Sequence, residues 1–127
     1  MKSLTPVVVV QEIEPCARFW TERLGFQVTA EVPEGDKLGF VMLEKDGVQL
    51  MYQSWDSLKK DVPALATGEF KPAISLYFIV DDIREVEKSL EDVQKVFPKR
   101  ETFYGATEIG VREPGGFTVC FSQHKGE

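Results

Sequence analysis

Few side chains in this sequence can do chemistry by themselves, and their positions narrow what that chemistry is. The chain holds one histidine, His124, and two cysteines, Cys16 and Cys120. Cys16 falls at the start of a predicted helix, where the positive end of the helix dipole would lower a thiol's pKa. No histidine stands near it to act as a base, so a nucleophilic thiol is not expected. His124 lies past the last predicted strand and is expected to be exposed to solvent, and a single histidine cannot build a four-ligand zinc site. Glu108 and Glu113 are the acids that a metal centre would have to recruit. What remains is suited to binding. The amides of Gln49 and Gln53 and the hydroxyls of Ser75 and Tyr77 offer hydrogen bonds, and the rings of Phe40, Trp55, Tyr77, Phe103 and Tyr104 offer stacking surface.

The elements that would position these residues occur twice. An apolar, β-branched run ends in Val10-Gln11-Glu12-Ile13, and a second ends in Val80-Asp81-Asp82-Ile83. Each leads into an acidic segment whose apolar residues recur at helical spacing. Phe19, Trp20 and Leu24 form the inner stripe of the first predicted helix, which begins near Glu14-Pro15 and stops at Gly25. Ile83, Val86, Leu90 and Val93 form that of the second, with Asp82 as its N-cap. Three further strands are predicted after each helix: 26–31, 37–44 and 47–53, then 94–102, 107–113 and 117–122. Turn signals separate them at Pro33-Glu34-Gly35, Asp46-Gly47, Tyr104-Gly105 and Pro114-Gly115-Gly116. The chain thus reads as two βαβββ repeats, 4–53 and 73–122, joined by a linker over 54–72 that holds Trp55.

Two segments carry a family resemblance. Phe19-Trp20-Thr21-Glu22-Arg23-Leu24-Gly25-Phe26 is similar to the "F-Y-x-x-x-L-G-F" signature of the vicinal-oxygen-chelate superfamily, and Glu113-Pro114-Gly115-Gly116-Phe117 resembles its "D-P-x-G-N" turn. That superfamily holds glyoxalase I, extradiol dioxygenases, fosfomycin-resistance enzymes and bleomycin-resistance proteins. The resemblance implies an α+β fold, two βαβββ repeats whose curved mixed sheets surround a cavity, with a helix behind each sheet. Period-two alternation then divides each strand between helix and cavity. Val48, Leu50 and Tyr52 fall on one side, and Gln49, Met51 and Gln53 on the other. Phe117, Val119 and Phe121 separate in the same way from Thr118, Cys120 and Ser122.

In metal-dependent relatives, four ligands come from the first and last strands of each repeat. Aligning the repeats puts those positions at Thr5, Gln49, Ser75 and Cys120. Two hydroxyls, an amide and one thiol hold a divalent cation poorly, so neither a metal, a cofactor nor a catalytic residue is expected. Metal-free relatives of this kind resemble the bleomycin-resistance group, dimers that sequester a drug in grooves between subunits. The implied reading is a non-catalytic small-molecule binding protein, a homodimer whose ligand is cationic or aromatic. Its binding residues would be Gln49, Met51, Gln53, Trp55, Ser75, Tyr77, Phe103, Tyr104 and Cys120. The alternatives are a glyoxalase- or dioxygenase-type enzyme with displaced metal ligands and an orphan dimer with no small-molecule ligand.

Composition sets outer limits on these readings. With 127 residues, the two repeats are expected to share one core as a single domain. The net charge of -6 argues against a nucleic-acid partner, which needs a basic face, and suits a cationic ligand. No apolar run approaches the roughly 20 residues of a membrane span, and Met1-Lys2-Ser3 does not open a signal peptide. A cytoplasmic protein with both cysteines as free thiols is therefore expected.

Overall fold

The four consecutive valines of β1 (Val7–Val10) are buried at Val8 and Val10 and more open at Val7 and Val9, the alternation of a strand with one covered face. The computed structural model describes residues 2–125 and divides the chain into two compact units, Met1–Pro72 and Ala73–Glu127.

In the first unit, β1 is followed by α1 (Ile13–Arg18), which has Pro15 in its opening turn, and by a π-helical stretch over Phe19–Arg23. The sequence pattern predicts one uninterrupted α-helix to Gly25. The wider i→i+5 winding instead sets the neighbours Phe19 and Trp20 both on the buried side. Gly25 ends the helix at φ 75°, and the Phe26 N–H closes it by donating to the Trp20 carbonyl at 3.1 Å. Then come β2 (Gln27–Glu34), β3 (Lys37–Lys45), β4 (Val48–Ser54) and α2 (Trp55–Asp61). Asp46 and Gly47, at φ 52° and 81°, make the two-residue turn that fixes the β3–β4 register.

The sheet order is β1-β4-β3-β2, with β1 parallel to β4 and the other pairs antiparallel. Val8, Val10, Val41, Leu43, Leu50 and Tyr52 form its covered face, with Ile13, Cys16, Phe19, Trp20 and Leu24 also in the core. The Trp20 indole Nε1–H donates to the Tyr52 hydroxyl at 2.7 Å, so helix and sheet are joined by a buried polar contact as well as by apolar packing.

The second unit repeats this plan with β5 (Ser75–Ile79), α3 (Ile83–Ser89), β6 (Lys95–Glu101), β7 (Ala106–Arg112) and β8 (Thr118–His124), in the order β5-β8-β7-β6. Asp82 caps α3, its Oδ1 accepting the Arg84 N–H at 3.0 Å, and Gln123 Oε1 accepts the Ile83 N–H at 2.9 Å. Ile83, Leu90, Ile109, Val111, Val119 and Phe121 are buried, and Phe78 stacks on Phe121 with ring centroids 5.4 Å apart. Glu113 is also buried. Its carboxylate accepts the Gly115 N–H, while its backbone bonds to Gly116 and Phe117, fixing the turn before β8.

One expectation needs correction here. β8 runs to His124, two residues beyond the predicted end, so the histidine belongs to the strand and is half-buried. Its alternation places it with Thr118, Cys120 and Ser122, on the face away from α3.

The division of β4 has a direct test. Leu50→Ala removes a side chain from the covered face and should cost about 2 to 5 kcal/mol of unfolding free energy. Gln49→Ala, on the opposite face, should cost about 1 kcal/mol or less. Urea denaturation of the two variants would show it, and similar losses would mean that β4 is buried on both faces.

Candidate functional site

Each sheet has one face turned away from its helix, and the predicted binding residues on strands fall on those open faces. In the first unit the open face of β4 carries Gln49, Met51 and Gln53, opposite Glu44, Met42 and Phe40 on β3. The polar groups are already engaged. Thr5 Oγ1 donates to Gln49 Oε1 at 3.3 Å, Gln49 Nε2 donates to Glu44 Oε2 at 3.1 Å, and Gln53 Nε2 donates to Ser57 Oγ of α2 at 3.2 Å.

Trp55 is not part of that face. It opens α2, packs against Phe70 with centroids 5.6 Å apart, and has the Lys59 ammonium 5.8 Å above its ring. It lines a separate groove of about 570 Å³ with Gln11, Glu12, Lys37, Glu69 and Phe70, among others, and neither Gln49, Met51 nor Gln53 lines it. The cause is local: α2 begins immediately after β4, so Trp55 follows helical rather than strand alternation.

The second unit holds the densest polar cluster. Glu108, on β7 directly across from Ser122 on β8, is 1% exposed. Its Oε2 accepts two phenol O–H bonds, from Tyr77 on β5 and from Tyr104 in the β6–β7 turn, both at 2.7 Å. Its Oε1 accepts from Arg100 Nη2 at 3.4 Å. Tyr77 also lies 3.1 Å from His124 Nε2. Ser122 Oγ is buried close enough to influence the acidity of Tyr77 and Glu108, but it makes no well-formed hydrogen bond.

The electrostatics follow from this geometry. Burial is the largest single influence on Glu108 and pushes its carboxyl up. Hydrogen bonds from Tyr77, Tyr104 and Arg100, with the nearby Ser122 hydroxyl, together outweigh it and hold the group below the usual carboxylate range, so Glu108 is ionised at neutral pH. The hydrogen bond to that carboxylate holds the Tyr104 proton and raises its pKa to about 12. Burial, followed by the nearby Glu108 charge, pushes the Cys120 thiol up to about 11, which makes it a poor nucleophile at neutral pH.

The predicted residues of this unit separate accordingly. Ser75, Tyr77 and Cys120 share the open face, with Cys120 paired across from Tyr77 on one side and Gly110 on the other. Tyr104 joins them through Glu108. Phe103 does not: it is fully exposed and touches the Tyr104 ring edge-on at 5.1 Å.

The positions that the family resemblance assigns to metal ligands fit a divalent cation poorly. Thr5 and Gln49 are hydrogen-bonded partners in the first unit. In the second, Ser75 pairs with Thr118, so the parallel register assigns the fourth position to Thr118 and not to Cys120. All four are then neutral oxygen or amide groups, without the anionic or imidazole ligands that compensate a dication for lost water. Among the described residues, no group of three or more His, Cys, Asp or Glu is placed to hold a metal ion.

Sequence reasoning named Glu108 only as a recruitable acid and overlooked Arg100 and the placement of His124. The signal was available in β7, where Glu108 is out of phase with the apolar residues Ile109 and Val111.

The comparisons with known proteins agree with this architecture. No curated protein sequence matches the chain. Among solved structures, the bleomycin resistance determinant encoded on the transposon Tn5 is similar at a TM-score of 0.72 and 16% identity, covering 98% of this chain and 99% of that one. A lactoylglutathione lyase from Agrobacterium tumefaciens gives 0.75 and 13%, covering 97% and 94%. TioX from Micromonospora sp. ML1 gives 0.74 and 15%, covering 98% and 99%. At these identities the likeness is one of fold. The family itself is established by sequence: residues 3–121 match the family model, and the chain belongs to the Glyoxalase/Bleomycin resistance protein/Dioxygenase superfamily.

Proposed function

We propose that this chain is a non-catalytic small-molecule binding protein that sequesters its ligand as drug-resistance members of the superfamily do. The observation that carries the reading is the Glu108 cluster. A buried, ionised carboxylate holds the phenols of two residues that stay about half exposed, Tyr77 at 51% and Tyr104 at 49%. Such a face offers aromatic surface and negative charge to a cationic or aromatic ligand. It offers no nucleophile, since the Cys120 thiol is held protonated and the phenols are held neutral. The working form would be a homodimer in the cytoplasm, where Cys16 and Cys120 remain thiols. Dimerisation would cover the sheet edges β1, β2, β5 and β6 and exposed apolar residues such as Val7 and Ile79.

A thermal-shift screen of cationic aromatic compounds tests the reading. A ligand present at a hundred times its dissociation constant should stabilise the protein by about 2.7 kcal/mol. Tyr104→Ala should then weaken binding by about 1 to 3 kcal/mol and leave the fold intact. Turnover of such a ligand would overturn the non-catalytic reading. So would stoichiometric metal in the purified protein, measured by mass spectrometry, if Gln49→Ala removed it.

The electrostatics of the cluster can be checked by titration. Glu108 has a depressed pKa, so its contribution to stability is full above the ordinary value of 4.5 and is lost as pH falls through its lower folded value. Tyr104 is shifted upward, so its contribution is full below 10.0 and is lost as pH rises through about 12. In an ultraviolet titration the Tyr104 step should disappear in Tyr104→Phe and move back toward 10.0 in Glu108→Gln. An unmoved step in Glu108→Gln would show that the carboxylate does not hold that phenol.

A further inference from the structure

The open face of the second unit has a donor-and-acceptor pattern that follows from counting protons. A tyrosine has one hydroxyl proton, and an ionised carboxylate can only accept. Tyr77 and Tyr104 therefore both spend their proton on Glu108 Oε2. Tyr77 oxygen can then meet His124 Nε2 only as an acceptor, which fixes the imidazole proton on Nε2. Tyr104 oxygen is likewise limited to accepting, so whatever docks against it must bring an N–H, ammonium or O–H.

At the other carboxylate oxygen the polarity reverses. The Arg100 guanidinium lies 3.8 Å over the Phe97 ring, and Phe97 rests on Gly110, where a Cβ would come within 2.3 Å of the ring. Only glycine leaves room for that platform. Of the five guanidinium N–H donors, one makes a long hydrogen bond of 3.4 Å to Glu108 Oε1 among the described residues, and the side chain remains 53% exposed. A flat, weakly hydrated cation held on a ring with donors to spare suits a carboxylate or other planar oxyanion. Its charge also balances that of Glu108, so a ligand with only one sign of charge would meet repulsion at one end of the face.

We infer that the ligand of this face is amphoteric: it places an ammonium or N–H donor on the phenol oxygen of Tyr104 and a carboxylate or similar acceptor on Arg100, as a free aromatic amino acid or its conjugate does. The inference rests on the reading that this face binds a small molecule, and it adds the anionic half of the ligand to the cationic one. Tyr104 and Arg100 sit on the two oxygens of one carboxylate, so a ligand of amino-acid size reaches both.

Three indoles of similar size separate the possibilities: tryptamine with only the amine, 3-indolepropionate with only the acid, and L-tryptophan with both. Calorimetric titration of the wild-type protein should show L-tryptophan binding at least ten-fold more tightly than either of the others. Arg100→Gln should erase its advantage over tryptamine without weakening tryptamine. Tyr104→Phe, which keeps the ring, should erase its advantage over 3-indolepropionate. Arg100→Lys should retain part of the preference, because it keeps the charge and loses the fork. Circular dichroism confirms that each variant folds, and the exposure of both side chains favours that. If tryptamine binds as well as L-tryptophan, or the preference survives Arg100→Gln, the amphoteric inference is overturned while the small-molecule reading stands. If none of the three binds at millimolar concentration, the amphoteric inference is overturned, and the thermal-shift screen decides the small-molecule reading separately.

Discussion

The carboxylate of Glu108 is the constraint on which the second unit's open face depends. An ionised carboxylate taken out of water costs several kcal/mol unless donors replace the lost hydration. Here the donors come from three different elements: Tyr77 from β5, Tyr104 from the turn before β7, and Arg100 from β6. One buried charge thereby fixes where two phenols and a guanidinium point. Removing any donor would leave the charge less compensated, so the side chains that hold the carboxylate are also the ones it orients.

The two units show how one βαβββ frame diverges. Both have a helix over the sheet, a parallel pair between first and last strands, and an open face of alternating residues. In the first unit the polar groups of that face are bonded to near neighbours, Thr5 with Gln49, Gln49 with the Glu44 carboxylate and Gln53 with Ser57. In the second, the charge on Glu108 leaves Arg100 and the phenol oxygens with capacity directed outward. The face suited to recognising a polar ligand is the one where the local accounting of donors and acceptors does not close.

How much of this was legible in the sequence depended on whether a feature was periodic. Leu50 and Tyr52 against Gln49 and Met51, or Val119 and Phe121 against Thr118, declare their faces by alternation, and the burial follows it. Gly25, Asp46-Gly47 and Asp82 mark their turns and cap by backbone chemistry that needs no tertiary information. Trp55 belongs to the linker by sequence, and only the fold shows that α2 begins there and that its ring lines a groove which Gln49, Met51 and Gln53 do not. The sequence offers Cys120 as a ligand position on the last strand, whereas the β5–β8 register, which pairs Ser75 with Thr118, exists only once the strands have paired. His124 was read as tail because nothing in Gln123-His124-Lys125 looks like a strand; pairing with Ala106 extends β8 that far.

Arg100 illustrates the deepest limit on reading this site from sequence. It lies in Lys95–Glu101, predicted only as a strand, among other charged residues, and it is half exposed. What separates it from its neighbour Lys99 is a contact across the sheet. Phe97 can lie flat only because residue 110 is glycine, and only then does the guanidinium have a surface to rest on beside Glu108. Lys99, one position away, reaches Glu87 in an exposed ion pair of the kind worth little in stability. Two cations of similar sequence context thus have different physical roles, and a glycine ten residues away in sequence decides which one is held against the site.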